Sequence, residues 1–255
     1  MTYPDINPIA LDLGFIQIYW YGIMYLLAFL SAYLLASHRA KQLDSWNKQQ
    51  IEDLIFYGAL GVVIGGRLGY ILFYNFSAFV ADPLSIFAVQ NGGMSFHGGF
   101  LGVALAMWLF NRKHHKTFFS TVDFVVPLVP LGLGFGRIGN FINGELWGKI
   151  TTSPFGVFIQ EQGVARYPSQ LYEAFLEGLV LFVVLWVFSS KSRKPMTISA
   201  LFLILYGVFR FVVEFVRVPD EQLGYLAFEW LTMGQLLSLP MIIVGVFLLL
   251  KANRK

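Results

Sequence analysis

The chain has 255 residues, of which 56% are hydrophobic and only 13% are charged. Soluble domains carry about 25% charged residues, so this composition excludes an ordinary soluble enzyme and indicates a polytopic membrane protein. The net charge of +3 gives no indication of nucleic-acid binding, and the chain has no cysteine, which excludes disulfides, thiolate metal sites and a cysteine nucleophile of its own.

Seven apolar segments of about 17–23 residues recur along the chain, each long enough to cross a hydrocarbon core of about 30 Å. They cover residues 19–37, 52–74, 95–111, 121–140, 169–188, 197–216 and 233–250. Lysine and arginine concentrate in alternate connecting segments, at 38–51, 112–120, 189–196 and the C-terminal tail. The positive-inside rule therefore predicts an all-α integral membrane protein with seven transmembrane helices, an outside N-terminus and a cytoplasmic C-terminus.

We predict a single membrane domain over residues 1–255 with a small outward-facing cap. The cap would consist of residues 1–18 and 149–168, both of which contain short stretches that could form strands. Residues 1–18 lack the basic start of a cleavable signal peptide, so the first span is expected to remain as a helix.

Strongly polar residues inside the predicted spans lie in the outer half, apart from three carboxylates at cytoplasmic helix starts. A rise of about 1.5 Å per residue puts Arg67, Arg137 and Arg210 about 20–24 Å above the cytoplasmic ends of their spans. Tyr21 and His97 begin spans that run inward from the outer face, so they start near the same depth. This convergence predicts a polar site in the outer leaflet.

Arginine inside hydrocarbon costs roughly 2.5–3.5 kcal/mol, so Arg137 needs a partner or a ligand. One interpretation is a structural ion pair with Glu145 or Glu214; the other is an anion clamp, because guanidinium binds phosphate through two donors. Arg210 and Glu214 are four residues apart and can pair on one helix face, which is compatible with either interpretation.

Other polar residues leave similar alternatives. His97 precedes two glycines and could accept a proton or orient a substrate, although a lone histidine is often structural. Arg67 is equally a structural or a ligand-binding candidate. We expect Arg217 to snorkel to the interface, and Glu173 and Glu177 to pack against the arginines or face water.

Glycines recur at a spacing typical of close helix packing in membranes. Gly61–Gly65, Gly98–Gly102 and Gly132–Gly136 each have this small-xxx-small spacing. A G-x-G-x-x-G sequence begins at Gly134, but it lies inside an apolar span with no preceding strand, which excludes a dinucleotide-binding unit.

Seven sequence motifs are spread over nearly the whole chain. They are WYG at 20–22, GGR at 65–67, MSFHGG at 94–99, GRIGNFINGELWG at 136–148, YPSQLYE at 167–173, YGVFRFVVEFVR at 206–217 and MGQLLSLP at 233–240. With these motifs, of which the one at 136–148 is highly specific, the chain resembles the bacterial prolipoprotein diacylglyceryl transferase family.

The resemblance implies a bacterial inner-membrane enzyme with its active site toward the periplasmic leaflet. Such an enzyme transfers a diacylglyceryl group from phosphatidylglycerol to the lipobox cysteine thiol of a prolipoprotein signal peptide, forming a thioether and releasing glycerol phosphate. The resemblance also implies that nine positions are important, namely Tyr21, His97, Arg137, Asn140, Glu145, Gly148, Tyr206, Arg210 and Glu214. No metal or organic cofactor is expected, because the reaction has no redox step.

We predict catalytic roles for Arg137 and Arg210, which would hold the phosphate, and for His97, which would act as the base or orient the thiol. The predicted substrate-binding residues are Tyr21, Arg67, Asn140, Asn143, Glu145, Gly148, Tyr206 and Glu214. The alternative functions are an anion or lipid-headgroup transporter or channel, and a lipid-binding scaffold without catalysis. A transporter should have a polar path across the whole membrane, whereas the cytoplasmic half of each span is nearly free of charge.

Overall fold

A computed structural model describes residues 1–4, 6–43, 45–87, 92–219 and 224–254. The helices are α1 (Trp20–Ala40), α2 (Lys48–Tyr74), α3 (Phe76–Ala81), α4 (Phe96–His114), α5 (Phe118–Val125), α6 (Val129–Ile142), α7 (Ser169–Glu173), α8 (Leu181–Ser189), α9 (Thr197–Val213) and α10 (Met233–Arg254), and the strands are β1 (Ile9–Asp12), β2 (Gln17–Tyr19), β3 (Val157–Ile159) and β4 (Val164–Arg166). A 3-10 turn links α5 to α6, and a π-helical segment, Ala174–Val180, links α7 to α8.

The chain is a helical membrane protein. Five helical stretches of the described chain are long and apolar enough to cross a membrane, judged by length and composition. They are Trp20–Ala40, Lys48–Tyr74, Phe118–Ile142, Ser169–Ser189 and Met233–Arg254. The two other predicted spans are helices as well, α4 and the shorter apolar α9, but they are not among these five.

The described residues form two compact units, one within Tyr33–Thr121 and the other within Met1–Ala32 and Val122–Lys255. In the first unit, α2 and α4 pack through glycines. A Cβ atom added to Gly61 would lie 2.7 Å from the carbonyl oxygen of Gly102, and one added to Gly69 would lie 2.6 Å from the Cα atom of Gly98. Only glycine permits such a close approach of two helices, so the packing predicted from the spacing is confirmed here.

The second unit contains two antiparallel hairpins. Strand β1 pairs with β2, with Asp12 opposite Gln17, and β3 pairs with β4 in a register that places Val157 opposite Arg166. The amide of Tyr3 donates to the carbonyl oxygen of Phe158 at 2.9 Å, so the N-terminal segment pairs with β3. The two segments predicted to form a cap therefore contact each other.

Two further contacts hold helices α6 and α9 in place. The amides of Met196 and Ser199 donate to the carboxylate of Asp123 at 2.7 and 2.8 Å, which caps the start of α9. A Cβ atom on Gly178 in the π-helical segment would lie 2.8 Å from the Cα atom of Gly134 in α6. This contact brings the π-helical segment directly against α6.

Candidate active site

Glu173, at the end of α7, is the centre of a buried ion-pair network. Its Oε2 atom lies 2.5 Å from Nε of Arg137 and 3.2 Å from Nη1 of Arg210. Its Oε1 atom accepts a hydrogen bond from Nη1 of Arg217. Because the carboxylate is fully buried, these three arginines provide the compensation that a buried charge requires.

Glu214, just after α9, is the second carboxylate of the network. Its Oε1 atom lies 2.5 Å from Nη2 of Arg210 and 3.0 Å from Nε of Arg217. The pairing between Arg210 and Glu214 predicted from their spacing is therefore confirmed. Arg217 also directs its guanidinium into the network, with only 12% of its side chain exposed, so the expectation that it snorkels to the interface was wrong.

The start of α10 locks Glu214 in place. The hydroxyl of Thr232 donates to Oε2 of Glu214 at 2.7 Å and accepts from the amide of Gln235 at 3.2 Å. The Gln235 side chain in turn accepts from the Thr232 amide at 3.0 Å, which completes a capping box. A Cβ atom on Gly234 would lie 2.5 Å from Cδ of Glu214, so a larger residue here would displace the carboxylate.

A chain of polar contacts, called the polar arm, runs from Arg137 through Asn140 to Glu145, just after α6. Nη1 of Arg137 lies 3.4 Å from Oδ1 of Asn140, whose amide donates to Oε1 of Glu145 at 2.8 Å. Asn143 donates to the same oxygen at 3.3 Å. Gln170 in α7 donates to the backbone carbonyl of Glu145, which fastens the arm to the helix that carries the central carboxylate.

The charges of the network favour an anion. Three arginines meet two paired glutamates, Glu173 and Glu214, so the ion-paired set has one net positive charge. The Arg137 side chain is 25% exposed and that of Arg210 is 18% exposed, whereas the Glu173 side chain is fully buried. The positive groups can therefore be reached from outside the cluster, and guanidinium groups are suited to bidentate binding of phosphate.

Two tyrosines predicted to bind substrate lie in the same unit. Tyr21 packs against α6, where a Cβ atom on Gly139 would lie 2.8 Å from its ring, and its hydroxyl is within electrostatic range of Arg137 and Glu145. Tyr206 in α9 stacks on Phe202, with ring centroids 5.7 Å apart. Both side chains are only partly buried.

Position 148 has no room for a side chain, which explains why it is a glycine. Its amide donates to the carbonyl oxygen of Tyr167 at 2.8 Å. A Cβ atom at this position would lie 2.5 Å from the carbonyl oxygen of Val216 and 2.8 Å from that of Tyr167. The glycine thus allows three backbone segments to meet next to the network, and it supports the site through packing.

The remaining predicted site residues, Arg67 and His97, belong to the unit within Tyr33–Thr121. The buried guanidinium of Arg67 donates to backbone carbonyls, including those of Ile86 at 3.0 Å and Gly92 at 2.6 Å. Its donors therefore hold the backbone at Ile86 and Gly92, before the start of α4. His97 is exposed in the first turn of α4, which is capped by Ser95 through a 3.2 Å hydrogen bond from the amide of Gly98.

The sequence left the partner of Arg137 open between Glu145 and Glu214, but in the structure the partner is Glu173. The first of the two alternatives predicted for Glu173, packing against the arginines, is confirmed. Neither Glu173 nor Arg217 was among the predicted site residues. A carboxylate inside an apolar span needs a cation, so matching the acidic residues of spans five and six with arginines could have added both residues to the site.

Comparisons with known proteins identify the family of the chain. The family model described as prolipoprotein diacylglyceryl transferase matches residues 8–251. A phosphatidylglycerol–prolipoprotein diacylglyceryl transferase from Coxiella burnetii is 58% identical over 256 residues, covering all of this chain and 98% of the relative. The protein of that name from Pseudomonas paraeruginosa is 56% identical over 257 residues, covering all of this chain and 97% of the relative. The chain therefore belongs to the prolipoprotein diacylglyceryl transferase family.

Proposed function

We propose that this protein transfers the diacylglyceryl group of phosphatidylglycerol to the thiol of the lipobox cysteine in a prolipoprotein signal peptide. A C–S bond forms at the terminal glyceryl carbon, and the bond between that carbon and the phosphate oxygen breaks. The thioether-linked lipoprotein precursor and glycerol phosphate are the products. The observation that carries the proposal is the pair of partly exposed arginines, Arg137 and Arg210, held by buried glutamates in a chain of this family.

In this reaction Arg137 and Arg210 hold the phosphate. The phosphodiester gains a negative charge as the carbon–oxygen bond breaks, and preorganised donors stabilise charge that develops in the transition state. Glu173 and Glu214 fix both guanidinium groups, so little reorganisation is needed when the lipid binds. We assign Tyr21, which packs against α6, to hydrogen-bond the headgroup.

Activation of the thiol requires a group that accepts its proton. We assign this role to His97, because neutral imidazole is a base near physiological pH and this side chain is exposed at a helix start. The nucleophile comes from the substrate, which fits a protein without cysteine. A cationic environment lowers the pKa of a free thiol from about 8.5 toward neutrality.

We further infer a single membrane domain with seven spans in the bacterial inner membrane, with the cap and the site on the periplasmic side. The positive-inside distribution supports this orientation. With 19 residues, α4 is about 28 Å long, and it packs along the candidate span α2 through glycines. Helix α9 has 17 residues and is about 25 Å long, and the polar segment that follows it holds Glu214.

The activity test uses purified protein, phosphatidylglycerol and a lipobox peptide, with the mass of the peptide as the readout. We expect a mass gain of one diacylglyceryl group, which should disappear when serine replaces the peptide cysteine. If the peptide mass is unchanged while phosphate anions cross protein-containing vesicles, the transporter alternative is correct and the proposal fails.

The orientation is tested by single-cysteine labelling, which the natural absence of cysteine makes clean. We expect an impermeant thiol reagent to label Phe155→Cys in intact spheroplasts and His115→Cys only after permeabilisation. The opposite pattern would overturn the predicted topology.

A further inference from the structure

Glu177, in the π-helical segment, is a buried carboxyl that the ion-pair network does not use. It is 1% exposed, and it forms no ion pair with any described residue. Its Oε1 atom has no hydrogen-bond partner among the residues that the structure describes. A buried polar atom of this kind calls for an explanation, and π-helical segments are frequent at functional sites.

The surroundings of Glu177 belong to the arginine network. The charged and titratable groups that act on it come from α6, α7, α9 and the turn after α9, and they are Arg137, Glu173, Arg210, Arg217 and Tyr206. The contact between Gly134 and Gly178 holds the π-helical segment against α6 and so keeps Glu177 next to these groups. Glu177 is therefore close enough to change the charge of the network without pairing directly with an arginine.

The protonation state of Glu177 decides the net charge of the buried cluster. When Glu177 is ionised, three glutamates balance three arginines and the buried cluster is neutral. When Glu177 carries a proton, the cluster has one positive charge, which a monoanionic phosphodiester neutralises. Net charge in a buried site is costly, so the cluster stays neutral in both states only if a proton binds together with the anion.

We propose that Glu177 takes up a proton when the phosphodiester binds to Arg137 and Arg210, and that it thereby sets the charge of the phosphate site. This inference rests on the proposed function, since it requires a phosphate-bearing lipid as ligand. Glu177 is a positioning residue in this scheme, because it acts through the arginines and does not touch the substrate. By linkage, a ligand that binds together with a proton binds more weakly as the pH rises, by up to tenfold per pH unit.

The test measures proton uptake directly. Binding of short-chain phosphatidylglycerol to the purified protein is followed by calorimetry between pH 6 and 9, in buffers that differ in ionisation enthalpy. The phosphodiester does not titrate in this range, so proton uptake reports on the protein. We expect Glu177→Gln to take up fewer protons per lipid than the natural protein, by up to one, and to bind with a flatter pH dependence.

Three variants and one reference measurement make the result decisive. Glu161→Gln changes an exposed residue of the cap and should take up as many protons as the natural protein. Glu177→Asp retains a carboxyl and should take up more protons than Glu177→Gln. Equal proton uptake in Glu177→Gln and the natural protein would overturn the inference. Failure of the natural protein to bind phosphatidylglycerol would instead count against the proposed function.

Discussion

Glu173→Gln is the sharpest test of the network, because one isosteric change removes the charge that three arginines share. Arg210 and Arg217 keep Glu214 as a partner, whereas Arg137 loses the one ion pair it forms with the described residues and keeps the 3.4 Å contact with Asn140. Breaking a buried pair costs about 3–5 kcal/mol, and the remaining pairs place this case near the lower end. A loss of about 3 kcal/mol is large against a total stability of about 5–15 kcal/mol.

The change should also slow transfer, and a rate loss of roughly 10²-fold corresponds to about 2.7 kcal/mol, close to the expected loss of stability. With its partner gone, Arg137 can leave its position, and a misplacement of about 1 Å in a reacting group can reduce rates by roughly 10²-fold. We expect the Glu173→Gln rate of peptide lipidation to fall by about that factor, with a lower unfolding temperature in detergent. Glu161→Gln, which removes an exposed carboxylate, should change neither quantity.

A double-mutant cycle isolates the pair itself. If Glu173 acts by holding Arg137, combining Glu173→Gln with Arg137→Lys should cost less than the sum of the two single changes, with a coupling of about 1–3 kcal/mol. Additive losses would show that the two side chains act independently. A Glu173→Gln protein with the natural rate and unfolding temperature would refute the description of Glu173 as the centre of the site.

Three further changes address other parts of the site. Arg137→Lys keeps the charge but loses the guanidinium fork, so transfer should fall by an order of magnitude or more; natural turnover would contradict the phosphate clamp. His97→Gln should lower the rate and remove one ionisation from its pH profile, and an unchanged profile would show that His97 is not the base. Gly148→Ala places a Cβ atom 2.5 Å from the carbonyl oxygen of Val216 and should destabilise the protein by about 1–3 kcal/mol in thermal unfolding. Gly136→Ala in helix α6, where a Cβ atom meets open space, is its matched control and should be at least as stable as the natural protein, because alanine favours the helix over glycine.

The sequence determined the class of the protein and the positions of its helices. Hydropathy depends only on local composition, so segments 19–37, 52–74 and 233–250 correspond to helices α1, α2 and α10 of similar extent. Intrahelical pairing is also local, which is why the pair of Arg210 with Glu214 could be predicted from a spacing of four residues. The glycine spacing likewise indicated where α2 and α4 approach each other.

Only the tertiary structure decided which polar groups meet. Helical periodicity gives the face on which Arg137 lies but not the helix opposite it, so the choice of Glu173 depended on the contact of Gly134 with Gly178. The role of Arg217 depended on the turn after α9, which directs its side chain back into the network. Composition shows that buried charges must be compensated, but their partners are fixed by long-range packing, because they come from different helices of the chain.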